Sequence, residues 1–196
     1  MQDFFALIDR LSKAAGEERA RVESAIWERF GADKALLALD MSRFSLSVRR
    51  SGILPYLALI RRMQVLTGPI VAAHRGSVVK YVADNMMATF DAVADAATCG
   101  VRIQEAIAAG GEEFTVAVGI DYGRVILIPG ADCFGDTVNV ACKLGEDVAL
   151  PGEVLLTEAA RAQLGHEFAF AMREQKVSIS GLELSAYLVE SGVSAT

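Results

Sequence analysis

Histidine is nearly missing from this chain of 196 residues, with two, and cysteine is scarce, with three. His74 and His166 are too few and too far apart for a histidine metal cluster. Cys99, Cys133 and Cys142 cannot all pair and show no CxxC spacing, which argues against a disulfide framework or a cysteine zinc site. Reduced, half-buried thiols are expected instead. Long apolar runs are lacking as well. Although 53% of the residues are hydrophobic, Arg61, Arg62, Lys80, Asp84 and other charges break every run before membrane-spanning length. No membrane span and no membrane partner are expected. Nor is positive charge in excess: 19 basic against 25 acidic residues give a net charge of −6, which opposes binding to nucleic acid. An anionic substrate would need local help from lysines or metal ions. The N-terminus carries both charge signs throughout and lacks the basic-then-apolar order of a signal peptide, so a cytoplasmic location is the expectation.

The length suits one domain with a short extra segment. Residues 1–33 read as two charged amphipathic helices, with Phe4, Phe5, Leu7 and Ile8 on one face and Val22, Ile26 and Phe30 at helical spacing on the next. They are expected to cap the remainder, 34–196, or a partner chain. "ALLALD" is a short apolar run ending in an acid, as a buried strand delivering Asp40 to its edge would be. Helical spacing follows from Ile53 to about Ala73. "SVVKYVADNMMATF" reads as a hairpin with Asp84 at its tip, and the alanine-rich run after it as a helix closed by Gly110-Gly111. "FTVAVGI" and "GRVILIP" read as two strands separated by "DYG". A helix over "DTVNVACKLGEDVAL" and strands at "GEVLLT" and "LSAYLVE" complete the pattern. The order β-α-β-β-α-β predicts an α+β fold with a ferredoxin-like core, helices on one face, additional strands and helices after it, and helices before it.

"GGEEF" at 110–114 resembles the signature hairpin of diguanylate cyclases. Such a hairpin needs a strand running into its glycines, and here a long helix does. The glycines are read as a helix C-cap, Glu112 and Glu113 as solvated loop charges, and Phe114 as a core residue opening the next strand.

Asp40 and Asp84 carry more. Antiparallel pairing of their strands would bring two carboxylates together, and such a pair repels unless a cation lies between. That suits two divalent ions bridging phosphate oxygens, magnesium in particular.

From about Lys34 to Glu190 the chain resembles the catalytic domain of class III adenylate and guanylate cyclases. The resemblance rests on "ALLALDMSRFS", "GSVVKYVADNMMATF", "VAVGIDYGRV", "FGDTVNVACKL" and "PGEVLLTEAA", in the family's order and spacing. It implies that Asp40 and Asp84 bind two Mg2+ or Mn2+ ions, with the main-chain carbonyl of Met41 as a further ligand. It implies that Phe44 and Ser45 run along the triphosphate, that Lys80 and Asp132 read the purine, that Asn139 orients the ribose, and that Lys143 stands where an arginine stabilises the transition state. It also implies a homodimer with the site shared between chains. Asn139 and Lys143, four apart, share one helical face. A lysine donor with a carboxylate acceptor matches adenine's ring nitrogen and exocyclic amine, which favours ATP and cyclic AMP.

Three departures keep other readings open. Lys143 offers a point charge where arginine offers a planar fork, Ser180 precedes Gly181 where a phosphate-binding lysine is usual, and Ala83 and Asn85 flank Asp84 in place of glycines. Asn85 is read as the residue able to take a left-handed turn. Cys133 beside Asp132 leaves room for a guanine-directed site. The alternatives are a degenerate module that binds nucleotide or only dimerises, and a cyclase making cyclic GMP or a pyrimidine product.

Overall fold

The computed structural model describes residues 1–42, 52–166, 168–179 and 182–190. Two helices, α1 (Gln2–Lys13) and α2 (Gly16–Phe30), lead directly into strand β1 (Gly31–Met41). Helix α3 (Ile53–Ala73), the hairpin β2 (Ser77–Val82) and β3 (Asn85–Phe90), helix α4 (Val93–Gly110) and strand β4 (Val116–Ile128) complete a β-α-β-β-α-β unit. A short β5 (Asp132–Phe134) and helix α5 (Asp136–Lys143) follow, and the chain runs on through a π-helical turn, Leu144–Val148. β6 (Val154–Thr157), α6 (Glu158–Arg161), β7 (Ala171–Ile179) and β8 (Leu182–Glu190) close the fold.

One sheet holds all eight strands, in the order β2-β3-β1-β4-β6-β8-β7, with β5 paired to β4. The run β4-β1-β3-β2 is the ferredoxin-like arrangement read from the sequence, and the fold class is α+β as expected. Alternation along β1 explains its layers. Ala35, Leu37, Leu39 and Met41 face a core filled by α3 and α4, through Ile60, Met63, Val71, Ala97, Ile103 and others. Leu36 and Ala38 face the opposite side, against Val138 and Ala141 of α5 and Cys133 of β5. The two helices of the βαββαβ unit, α3 and α4, thus share one face as expected, and the additional helix α5 covers the other. β1 is buried on both faces, as its continuous apolar run required. The N-terminal helices pack on the far end of β4, where Phe4, Val22 and Ile26 meet Ile128. Phe4 also stacks on Phe134 at 5.8 Å.

β4 corrects a reading made from sequence. "DYG" is not a turn: β4 runs unbroken through it, because β1 supplies partners from Val116 to Ile126, with Ala35 opposite Tyr122 and Lys34 opposite Gly123. The turn-like composition has tertiary causes. A Cβ at position 123 would lie 2.5 Å from Thr137 Oγ1, and the Asp121 carboxylate accepts a hydrogen bond from Thr157 while buried. Strands β5 and β7 went unread, β5 because three residues carry no pattern and β7 because "AMREQKVSI" is mostly exposed.

The end of α4 matches its reading. Gly111 adopts a left-handed φ of 60° as the C-cap. Glu112 is not a solvated charge, however: its side chain is 13% exposed and pairs with Arg62 at 2.6 Å. Among the described residues no helix is long and apolar enough to cross a membrane.

Candidate active site

β1 and β3 set the first half of the site. Their antiparallel register places Asp40 directly opposite Asn85, the residue after Asp84, and the Met41 N–H donates to the Asp84 carbonyl at 3.3 Å. The turn joining β2 to β3 thus brings Asp84 to the strand end that carries Asp40. The left-handed residue of this turn is Ala83, with φ 51°, and not Asn85. Asn85 instead pairs within the ladder, and its amide Nδ2 donates to Glu146 Oε1 at 2.9 Å.

The electrostatics follow from crowding. Burial first, and then the charges of Asp84, Glu146 and Asp147, push the Asp40 carboxyl up to about 7. The Glu146 carboxyl is also raised, by burial and by Asp147, against the stabilising bond from Asn85. Each of these effects disfavours negative charge, and a divalent cation beside the carboxylates would offset it. Among the described residues no group of three or more His, Cys, Asp or Glu is arranged around one metal position. The Asp40 and Asp84 carboxylates, with the Met41 carbonyl that the resemblance adds, would make a set of hard oxygen ligands. That fits magnesium or manganese, which fill the rest of the shell with phosphate oxygens and water.

The second half lies on β2, β5 and α5. Lys80 donates to Asp132 Oδ1 at 2.6 Å, joining β2 to β5. Burial alone would raise the Asp132 carboxyl. The Lys80 ammonium and the Cys133 N–H, 2.8 Å from Oδ1, outweigh that and hold it below the usual range. The Asp132 carboxyl is therefore kept ionised, and the partially exposed pair sets a donor beside an acceptor. Cys133 itself is buried, and burial pushes its thiol up to about 11, which makes it a packing residue here. α5 is anchored on the sheet by Val138 and Ala141 and leaves Asn139 and Lys143, one turn apart, exposed.

Of the residues expected from sequence, the structure thus brings together Asp40, Met41 and Asp84, and separately Lys80 and Asp132, with Asn139 and Lys143 on one helix. Phe44, Ser45, Ser180 and Gly181 lie outside the described residues. Two residues of the site were missed. Tyr56 donates its hydroxyl to Asp84 Oδ2 at 3.0 Å. Glu146 lies three positions after Lys143, in a turn whose π-helical winding no local pattern signals.

Comparison with known proteins came to one family. A family model described as the adenylate and guanylate cyclase catalytic domain matches residues 36–191. A Rhizobium meliloti (strain 1021) protein that bears an adenylate cyclase name is 30% identical over 130 residues, 63% of this chain. The chain covers 22% of that relative's length. Among solved structures, the adenylate/guanylate cyclase/hydrolase from Silicibacter pomeroyi is 27% identical with a TM-score of 0.68, covering 83% of this chain and 99% of its own. The guanylate cyclase domain of a Catenaria anguillulae protein in complex with GTP is 18% identical with a TM-score of 0.71, covering 81% and 96%. The catalytic core of a rhodopsin-guanylyl cyclase with converted specificity, in complex with ATPalphaS, has the same identity and TM-score and covers 82% and 98%.

Proposed function

This chain belongs to the adenylate and guanylate cyclase catalytic domain family, and from that premise we propose that it converts ATP to cyclic AMP and pyrophosphate. The observation that carries the reading is the Asp40–Asp84 pair, one carboxyl at a strand end and one in the neighbouring hairpin turn, where burial and then the Asp84 charge push Asp40 up to about 7. A scaffold accepts such repulsion where a divalent cation is to be held. Residues 34–196 are the catalytic unit in this reading, and 1–33 a helical segment packed upon it.

In the reaction the ribose 3′-oxygen attacks the α-phosphorus, and the bond from that phosphorus to the oxygen bridging toward the β-phosphate breaks. Asp40, Asp84 and the Met41 carbonyl would hold two magnesium or manganese ions, whose chemistry when bound would be to lower the pKa of the attacking hydroxyl and to offset charge on the phosphate oxygens. Phe44 and Ser45 would border the triphosphate, as the resemblance implies. Lys80 donates to adenine N1 while Asp132 accepts from the exocyclic amine. Asn139 orients the ribose, which keeps the 3′-oxygen in line with the scissile bond. Lys143 meets the negative charge that grows on the phosphate oxygens. The two halves come from different chains of a head-to-tail homodimer, Asp40 and Asp84 of one protomer facing Lys80, Asp132, Asn139 and Lys143 of the other, and a monomer is inactive. In solved relatives of the same fold, one is described in complex with GTP and another with ATPalphaS.

The Lys143 ammonium, a point charge in the place of a guanidinium fork, favours a second reading: a module that binds nucleotide or dimerises and turns over slowly or not at all. Mass spectrometry of products after incubation with ATP, GTP, CTP and UTP, with Mg2+ and then Mn2+, decides between them. Cyclic AMP from ATP alone supports the reaction and the base assignment. Another cyclic product keeps the reaction and overturns the Lys80–Asp132 assignment. No cyclic product from a confirmed dimer sinks the cyclase reading.

A further inference from the structure

We propose that Tyr56 is a positioning residue for Asp84: its hydroxyl fixes Asp84 Oδ2 and so leaves Oδ1 as the oxygen available to a divalent cation. The inference rests on the reading of Asp40 and Asp84 as cation ligands.

Tyr56 is the fourth residue of α3 and is 3% exposed, its ring set among the residues that fill the space between α3, α4 and the sheet. A ring so enclosed holds its hydroxyl in a fixed place. From there the hydroxyl donates to Asp84 Oδ2 at 3.0 Å. The comparison with Tyr81 is instructive. Its hydroxyl, on the same side of the sheet, meets Thr67 Oγ1 at 3.1 Å and the Gln64 carbonyl at 3.3 Å, both parts of the scaffold. Tyr56 directs its hydroxyl to a carboxylate of the site.

The effect on Asp84 follows from where that residue sits. A carboxylate at the tip of a two-residue turn has several rotamers open to it, and each must be given up when a cation binds. A bond from a phenol to a carboxylate is charge-assisted and selects one of them beforehand. The other flank of the tip is secured independently, by Asn85 Nδ2 on Glu146 Oε1. The turn is thus held from α3 on one side and from the π-helical turn on the other.

Substituting Tyr56→Phe removes the hydroxyl and keeps the ring. Mn2+ binding to the nucleotide-free protein, followed by electron paramagnetic resonance of the free ion, is expected to weaken about tenfold, the low end for loss of a ligand's hydrogen-bond partner. Melting in chelator should stay cooperative, since packing is unchanged. The double variant Tyr56→Phe/Asp84→Ala distinguishes positioning from general loosening: against Asp84→Ala the tyrosine substitution should cost nothing further. Wild-type Mn2+ affinity in Tyr56→Phe, an equal loss in both backgrounds, or a wild-type protein that binds no Mn2+ would each overturn the proposal. Its fate is separable from that of the cyclase reading. Coupled Mn2+ loss in a protein that makes no cyclic nucleotide keeps Tyr56 and discards the reaction, whereas cyclic product with unaltered Mn2+ affinity in Tyr56→Phe does the reverse.

Discussion

The Lys80 ammonium lies 2.6 Å from Asp132 Oδ1, an ion pair between residues 52 apart in sequence that couples an edge strand of the sheet to the short strand leading into α5. In the proposed function this donor and acceptor, placed side by side, would read one purine edge.

Base choice is the first consequence. Guanine presents an acceptor where adenine presents a donor, so exchanging the two characters should exchange the substrates. In the double variant Lys80→Glu/Asp132→Ser, kcat/KM for ATP is expected to fall by about 100-fold or more, because adenine's polar edge would then face groups of like character. GTP should become the better substrate of the two. Competition assays with both nucleotides check this, and an unchanged preference for ATP would dissociate the pair from base reading.

Lys143 supplies the second test. Replacing it with arginine gives the growing phosphate charge a planar, bidentate partner. An increase in kcat of about tenfold is expected, with KM for ATP little changed, because the contact tightens in the transition state. A chain that never turns over would show no gain, which single-turnover measurements with Mn2+ would reveal.

Asp40 makes metal-free stability depend on pH. Its folded-state carboxyl keeps a proton up to about 7, against an ordinary value of 3.8, so the folded chain binds the proton more tightly than the unfolded one. Stability contributed this way is present in acid and is lost as pH rises from about 4 to about 7. Asp121, raised by burial, and Glu146 act in the same direction. The informative quantity is therefore the difference between wild type and Asp40→Asn, melted in chelator from pH 5 to pH 8. The variant should lose less Tm across that range, and Mn2+ at pH 8 should restore the wild type but not the variant. Parallel curves for the two proteins would remove the argument for a strained carboxylate pair.

Ala83 carries a cost that glycine would relieve. A φ of 51° is disfavoured for any residue with a Cβ by about 1–2 kcal/mol, and the flexibility of glycine in the unfolded chain gives back part of that. Ala83→Gly is expected to raise unfolding free energy by up to about 1 kcal/mol, as read by denaturant titration. A destabilised variant would indicate that the alanine methyl has a packing role.

Much of this was legible in advance. The pairing of Asp40 with the Asp84 hairpin followed from one buried run ending in an acid and one turn flanked by β-rich segments, both local patterns. The helix that carries Asn139 and Lys143 followed from Val138, Ala141 and Leu144 at helical spacing. Where reading failed, a distant contact had overruled local composition. Gly123 and Asp121 look like turn residues, yet they sit inside a continuous strand because Thr137 and Thr157 lie against them.

By itself, then, the sequence determined the βαββαβ order, the buried central strand and the identity of the carboxylates, because period and punctuation are properties of neighbours along the chain. The tertiary structure alone decided which distant residues meet Asp84 and the turn that carries it. Tyr56 reaches Asp84 across 28 positions and Asn85 reaches Glu146 across 61. No periodicity encodes such contacts, which exist only once the sheet has brought α3 and the turn after α5 to the same edge.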